Sequence, residues 1–207
     1  MKEYRTVKSQ ACAEFTERRS RFIGAAKPVA TEEEALAFIN AVKAEHWNAT
    51  HNVYAYSLRT GQTRRYSDDG EPQGTAGIPT LDVLMKSEVT DTAVVVTRYF
   101  GGILLGGGGL VRAYSHAASI ALEQAHVITM RPCVTAEVRC DYGGYGRVST
   151  LIPENGGTVD DAVFTDAVTI LFHMEGARVP EFQRRLADVT CGRSEAVIIG
   201  EKYFEIS

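Results

Sequence analysis

Two segments of this sequence gather residue types that could do chemistry, and the first runs from Asp68 to Gly77. Its ten residues hold three glycines and three carboxylates, which belong to Asp68, Asp69 and Glu71. Clustered carboxylates bind hard cations or pair with arginine, whereas Asp and Gly also serve simple turns. The spacing differs from that of a calcium-binding loop, so we expect no dedicated calcium site. The residues alone favour a solvated turn in which Glu71 begins a helix cap.

The second segment runs from residue 95 to residue 114 and combines a buried-strand pattern, a glycine-rich loop and the start of a helix. Free N–H groups and the positive dipole of a helix N-terminus, together with guanidinium donors, favour anion binding. In the alternative, the glycines only let an alanine-rich helix pack closely, and both interpretations stay open. The candidate anion-binding residues are Arg98, Gly101, Gly102, Gly107, Gly108, Gly109 and Arg112.

This second segment is not a standard nucleotide-binding loop. Leu110 stands where GxxxxGK[ST] requires lysine, and Val111 stands where GxGxxG requires its last glycine. A buried strand that ends in arginine needs a carboxylate or an anion to offset the desolvation of the guanidinium. We therefore expect the acidic motif, defined as Asp68, Asp69 and Glu71, to lie beside Arg98 or Arg112.

The sequence identifies no catalytic residue and no metal site. His51, Ser115 and His116 could be grouped into a catalytic set on paper, but almost any chain of this size offers such a group. No HExxH or paired-cysteine pattern is present, and the four cysteines are scattered. We expect small buried cysteines, no metal and no cofactor.

The elements that position the two segments form the first of two predicted domains, residues 1–132. Thr31 and Glu34 make a capping box that predicts a helix ending near His46. Alanines at helical spacing after the glycine run predict that a neighbouring element approaches that helix closely. The predicted elements are strands at 4–15, 22–25, 52–58, 63–66 and 92–100, and helices at 31–46, 79–86 and 110–125.

The second predicted domain, residues 133–207, has the order βαββαβ. This order is typical of a ferredoxin-like fold, in which two helices cover one face of a four-stranded sheet. Arg131 and Pro132 interrupt the preceding helical pattern and mark the predicted boundary. The sequence therefore predicts the α+β class. The predicted elements are strands at 134–140, 159–164, 168–174 and 196–204, and helices at 144–153 and 180–190.

Length and composition fit two small domains, since 207 residues with 44% hydrophobic content can bury one or two cores. No targeting segment or long apolar run is present, so we expect a soluble cytoplasmic protein without membrane contact. Residues 1–132 carry a net charge of +1, and residues 133–207 carry −5. An acidic second half argues against indiscriminate coating of nucleic acid, so any anion site should be local.

Four blocks of the sequence resemble the bacterial branch of the IMPACT family, and they lie at 20–26, 49–58, 67–81 and 94–115. His51 and Asn52 belong to the second block, and Thr97 and Tyr99 belong to the fourth. Leu104 stands where the family usually has a lysine, which removes one charge from the expected anion site. The last third of the chain resembles the family's bacterial C-terminal domain more weakly.

The resemblance implies a two-layer β/α domain, like domains of a ribosomal small-subunit protein and of elongation factor G, followed by a ferredoxin-like domain. Eukaryotic members regulate translation by competing for the activator of a kinase, in a pathway that bacteria lack. We therefore expect a binding or regulatory protein linked to translation, which contacts RNA, a nucleotide or a translation-machinery protein through its first domain.

Two alternative functions stay open. One is an enzyme, a phosphotransferase or a hydrolase, that acts on a small phosphorylated substrate. The other is a protein-interaction adaptor without a small ligand. The absence of a phosphate-loop lysine and of a recognisable base favours binding over catalysis, while the sequence leaves the oligomeric state open.

Overall fold

Ten strands and five α-helices follow one another along residues 2–206, the part of the chain that the computed structural model describes. The predicted element types hold with one exception, since the single strand predicted at 4–15 is two strands, Tyr4–Val7 and Ala11–Glu17. Most other bounds differ by a few residues. The elements are β1 Tyr4–Val7, β2 Ala11–Glu17, β3 Ser20–Pro28, α1 Glu32–Glu45, β4 His51–Ser57, β5 Arg64–Ser67, α2 Gly77–Lys86, β6 Thr92–Tyr99, α3 Gly107–Gln124, β7 Val127–Cys140, α4 Tyr142–Glu154, β8 Thr158–Phe164, β9 Val168–Met174, α5 Val179–Thr190 and β10 Ala196–Ile206.

The chain divides into two units of the α+β class, as predicted. Residues 4–129 form the first unit, and residues 130–206 with Lys2 and Glu3 form the second. The strand predicted to begin at residue 134 begins earlier, because β7 starts at Val127 and runs through Arg131 and Pro132.

The sheet of the first unit has the strand order β2-β3-β6-β4-β5 with antiparallel neighbours. Successive residues of a strand face opposite sides of a sheet. In β6, Val94 and Val96 pack into the core with α2 and α3, whereas Ala93 and Val95 pack into the core with α1. The first unit therefore has three layers. The expectation of two layers is corrected, because α1 covers the face of the sheet opposite α2 and α3.

The buried alanines of α3 let this helix lie unusually close to β3. A Cβ atom built on Gly24 of β3 would lie 2.2 Å from the carbonyl oxygen of Ala117 and 3.0 Å from the Cβ of Ala121. Ala113, Ala117 and Ala121 are all buried. The close approach predicted from the alanine spacing is present, and Gly24 is the residue on the other side of it.

The second unit has the strand order β10-β7-β9-β8, which with its βαββαβ connectivity confirms the ferredoxin-like prediction. One apolar core joins the sheet to α4 and α5. Of the cysteines, Cys133 and Cys140 are buried, but Cys12 and Cys191 are exposed, against the expectation that all are buried. Within residues 2–206, none of the helices combines the length and apolar character that crossing a membrane requires.

Candidate functional site

The acidic motif lies in a turn, and hydrogen bonds to the Asp68 carboxylate hold this turn together. Its Oδ2 accepts a hydrogen bond from the N–H of Gly74 at 2.9 Å, and its Oδ1 accepts from the N–H groups of Ala76 and Gly77 at 3.2 and 2.8 Å. Gly77 is the first residue of α2, so the carboxylate also lies at a helix N-terminus, where the dipole favours negative charge. Asp68 therefore has a structural role in shaping the turn.

Asp69 ties the same turn to α1 and β4. Its Oδ1 accepts from Nζ of Lys43 at 2.8 Å, and its Oδ2 accepts from the backbone N–H of Asn52 at 2.7 Å. Partial burial raises the pKa of Asp69, but the bonds from Lys43 and from the Asn52 N–H outweigh it. The pKa of this carboxyl therefore lies below its ordinary value of 3.8.

The depressed pKa of Asp69 predicts a loss of stability in acid. A carboxylate with a lowered folded-state pKa stabilises the fold above its unfolded pKa, and that contribution is lost as the pH falls through the folded-state value. We expect the difference in unfolding free energy between the wild type and Asp69→Asn to be constant between about pH 7 and pH 5 and to shrink below about pH 4. Urea unfolding at each pH measures this difference. Lys43→Met should follow the same course, and a difference unchanged down to about pH 3 would contradict the assignment.

Glu71 is the buried member of the motif, and it pairs with Arg98 rather than with Arg112. Nη1 of Arg98 lies 2.6 Å from Oε1 of Glu71, and the two side chains are 5% and 3% exposed. The hydroxyl of Tyr114 on α3 donates to the same oxygen at 2.8 Å. Burial, followed by the charge of Glu71, raises the pKa of Tyr114 far above its ordinary value. Nη2 of Arg98 donates to Ser20 at 3.3 Å, whereas its buried Nε has no partner within residues 2–206.

The remaining motif residues of β4 and β6 form a polar network that supports this pair. The Thr97 hydroxyl donates to Oδ1 of Asn52 at 2.7 Å, and Nδ2 of Asn52 donates to the carbonyl of His46 at 3.3 Å. The hydroxyl of Tyr99 lies 2.9 Å from Nδ1 of His46. These side chains join β4 and β6 to the end of α1. Asn52, Thr97 and Tyr99 therefore help to fix the two strands that carry His51 and Arg98.

The glycine loop brings the start of α3 to the same end of the sheet. A Cβ atom at Gly101 would lie 2.0 Å from the carbonyl oxygen of Arg19, so only glycine fits against the turn between β2 and β3. Gly102 and Gly106 have φ angles of 82° and 74°, which favour glycine.

The helix α3 begins at Gly107, three residues before the predicted start. The first N–H groups of a helix have no intrahelical acceptor, so a glycine run can form this turn without losing hydrogen bonds. Gly106 offers no side chain to cap them. The N–H groups of Gly107, Gly108 and Gly109 have no acceptor in the described part of the chain.

A cleft of about 390 Å³ lies where these parts meet. Leu104 is 80% exposed at this cleft, and Phe100 is 44% exposed. The guanidinium carbon of Arg98 lies 5.3 Å from the centroid of the Phe100 ring. The cleft combines one buried ion pair, a helix N-terminus and an apolar wall. Among its lining residues are His51, Glu71, Arg98, Phe100, Leu104 and Gly107.

Arg112 lies outside this cleft, in a neighbouring one of about 380 Å³ that it shares with Arg18 and His116. Its Nη1 is 3.7 Å from the Cβ position of Gly108, so its guanidinium lies at the start of its own helix. Exposed Arg18, Arg19 and Arg112 have no carboxylate partner within residues 2–206, although Arg18 contacts the carbonyl of Leu104 at 3.5 Å. The structure therefore separates the two predicted arginines.

His51, which the sequence offered only in an unspecific grouping and as a residue of a family block, lies at this cleft. Its Nδ1 lies 2.8 Å from the carbonyl oxygen of Asp69, and its Nε2 lies 3.8 Å from Oε1 of Glu71. The pattern of the sequence could place His51 at the start of a strand but gave no sign that residues 18 and 20 positions later would surround it. Among the described residues, no cluster of three or more His, Cys, Asp or Glu side chains could hold a metal ion.

The sequence matches two family models. Residues 18–122 match the Impact N-terminal domain, and residues 138–193 match a domain of unknown function, DUF1949. The chain is also similar to a solved structure described as the crystal structure of a hypothetical protein. The two are 33% identical, with a TM-score of 0.61 over 96% of this chain and 98% of the other.

Two curated bacterial relatives match most of the chain, and a eukaryotic one matches about half of it. The IMPACT family member YvyE of Bacillus subtilis is 37% identical over 93% of this chain and 89% of its own length. The IMPACT family member YigZ of Escherichia coli is 36% identical over 89% of this chain and 92% of its own. A protein IMPACT homolog of Dictyostelium discoideum is 39% identical over 49% of this chain and 29% of its own. This chain belongs to the IMPACT family.

Proposed function

We propose that this protein is an RNA-binding protein linked to translation, and that its first unit binds single-stranded RNA across the N-terminus of α3. The proposal is supported by three exposed arginines that have no carboxylate partner within residues 2–206. Arg18, Arg19 and Arg112 are exposed cations, whereas every carboxylate of the acidic motif is already bonded within the protein. In the cleft that Arg112 lines, Arg18 and Arg112 outnumber the carboxylate of Glu17, although the whole chain carries a net charge of −4.

The groups at this surface suit the sugar–phosphate backbone and the bases of a single strand. The free N–H groups at the start of α3 and the nearby guanidinium groups are donors for phosphate oxygens. Phe100 has one face toward Arg98 and is partly exposed, so it offers a stacking platform for a base. The apolar wall at Leu104 suits a base better than a second phosphate.

The double variant Arg18→Ala/Arg112→Ala tests this proposal. We expect it to weaken binding of a labelled single-stranded RNA oligomer by about tenfold or more, because two phosphate contacts are lost. The slope of log K against log salt should fall in magnitude by about 1.4, at about 0.7 per phosphate. Fluorescence anisotropy at several salt concentrations measures both quantities.

A matched control removes the same charge elsewhere in the first unit. Arg64 and Arg65 are exposed on β5, and Arg64→Ala/Arg65→Ala should keep the affinity and the slope of the wild type within about twofold. Equal losses in both double variants would mean that only net charge matters, and the proposed site would be wrong. Binding of a mononucleotide but not of RNA would assign the surface to a small ligand. Binding of neither would favour the adaptor.

A further inference from the structure

We infer that the cleft of the proposed RNA site also cleaves RNA, with Nε2 of His51 accepting the proton of a ribose 2′-hydroxyl. This inference rests on the proposed function and goes beyond it, because binding alone needs no proton acceptor. It is a form of the enzyme alternative in which the substrate is a polymer and the nucleophile is the substrate's own hydroxyl. The inference is supported by the position of His51, which lies between Asp69 and Glu71 at the cleft.

The backbone of Asp69 fixes the tautomer of His51. A carbonyl oxygen only accepts hydrogen bonds, so the contact of 2.8 Å to Nδ1 requires a proton on that nitrogen. The neutral ring then carries its free electron pair on Nε2, on the side of Glu71 and of the cleft. Asp69 is itself held by Lys43 and Asn52, so the carbonyl that orients His51 has a fixed position.

Glu71 is placed to stabilise the imidazolium ion that proton transfer creates. Its Oε1 lies 3.8 Å from Nε2 of His51 and is held by Arg98 and Tyr114. Its Oε2 accepts no hydrogen bond from the described residues. A carboxylate held 3.8 Å from Nε2 stabilises the positive charge that the ring gains, whereas the Asp69 carbonyl on Nδ1 orients the ring as the acid of a hydrolase triad does.

The cleft also supplies donors for the phosphate that reacts. Gly106 and Gly107 line it, and the N–H groups of Gly107, Gly108 and Gly109 have no acceptor within residues 2–206. Arg98 lines the same cleft and adds a positive charge, which its hydrogen bonds to Glu71 and Ser20 hold in place. Fixed donors of this kind stabilise the extra negative charge on a five-coordinate phosphorus.

The step is a transesterification within the RNA chain. The 2′-oxygen attacks the adjacent phosphorus, so an O2′–P bond forms while the P–O5′ bond breaks. The 2′-hydroxyl proton passes to Nε2 of His51, and the departing 5′-oxygen receives a proton from the imidazolium ion through water. The products are a 2′,3′-cyclic phosphate and a 5′-hydroxyl, and the step consumes no co-reactant.

An RNA oligomer labelled at its 5′ end and incubated with the full-length protein in EDTA tests the inference. We expect cleavage whose product carries a 2′,3′-cyclic phosphate by mass spectrometry, and none of an oligomer with 2′-O-methyl groups that still binds. His51→Gln should lower kcat by about a hundredfold or more and affect KM less, since base catalysis is worth about that factor. His126→Gln, prepared identically, should cleave like the wild type because His126 lies beyond the end of α3.

Two further results decide the matter. Added imidazole should restore cleavage by folded His51→Ala and leave the wild-type rate unchanged, which a merely structural role would not produce. Equal cleavage by wild type and His51→Gln would reveal a contaminating nuclease and overturn the inference. Binding of RNA by the wild type without cleavage would overturn it while keeping the proposed function. Failure of the wild type to bind either oligomer would reject the proposed function itself.

Discussion

The variant Glu71→Gln is expected to lower the free energy of unfolding by about 3 to 5 kcal/mol, since it leaves Arg98 charged, buried and unpaired. The guanidinium is 95% buried and its Nε has no partner within residues 2–206, so the loss of the carboxylate leaves the charge without a counter-ion in a site of low solvent exposure. Tyr114 also loses its charged acceptor. Urea unfolding of the full chain, followed by a signal from the first unit, measures the loss.

A matched ion pair isolates burial as the cause. Arg21 and Glu14 are joined at the same distance of 2.6 Å, but their side chains are 52% and 55% exposed. Arg21→Gln should therefore leave the unfolding midpoint unchanged within error. The double variant Glu71→Gln/Arg98→Met should regain most of the lost stability, because it removes the orphaned charge as well. A double variant as unstable as Glu71→Gln alone would mean that the pair is not the source of the loss.

Local patterns predicted the elements of this fold well because caps and periodicity act over a few residues. Thr31 accepts from the N–H of Glu34 at 3.2 Å at the start of α1, as the capping box predicts. The ferredoxin-like fold followed from the order βαββαβ, in which β9 alternates between buried and half-buried residues and α5 buries Phe182 and Leu186. The same reasoning did not predict that β7 begins at Val127 and continues through Pro132. Whether a strand tolerates proline depends on its partner strand, which the local sequence does not specify.

The candidate site was predictable in part. Desolvation of Arg98 requires a carboxylate, which correctly directed attention to the acidic motif, but the choice of Glu71 among three carboxylates depends on distant contacts. The same holds for His51, whose partners Asp69 and Glu71 reach it only through the turn that Asp68 closes. Arg112 was grouped with Arg98 by proximity in sequence, yet the two side chains enter different clefts.

The glycines divide into those that a ligand could use and those that packing requires. At Gly107 and Gly108 a Cβ atom would make only ordinary contacts, the nearest at 3.8 and 3.7 Å, so steric need does not explain them. At Gly101 and Gly24 the nearest atom is a backbone oxygen 2.0 and 2.2 Å away. Packing therefore explains Gly101 of the glycine-rich segment, whereas anion binding at Gly107 and Gly108 stays a prediction.

Gly24→Ala is expected to lower the free energy of unfolding by about 3 kcal/mol, at the upper end of overpacking costs, because the new methyl group meets a backbone atom. Its Cβ would lie 2.2 Å from the carbonyl oxygen of Ala117, so α3 must move away from β3 and its buried alanines lose contact. Gly108→Ala on the same helix, with 3.7 Å to its nearest neighbour, should instead be neutral or stabilise by up to about 1 kcal/mol. Adding Ala117→Gly should not rescue Gly24→Ala, since the clash is with a carbonyl that glycine keeps. Thermal and urea unfolding of the three variants measure these effects, and rescue by Ala117→Gly would show that the side chain of Ala117, rather than its backbone, sets the distance between α3 and β3.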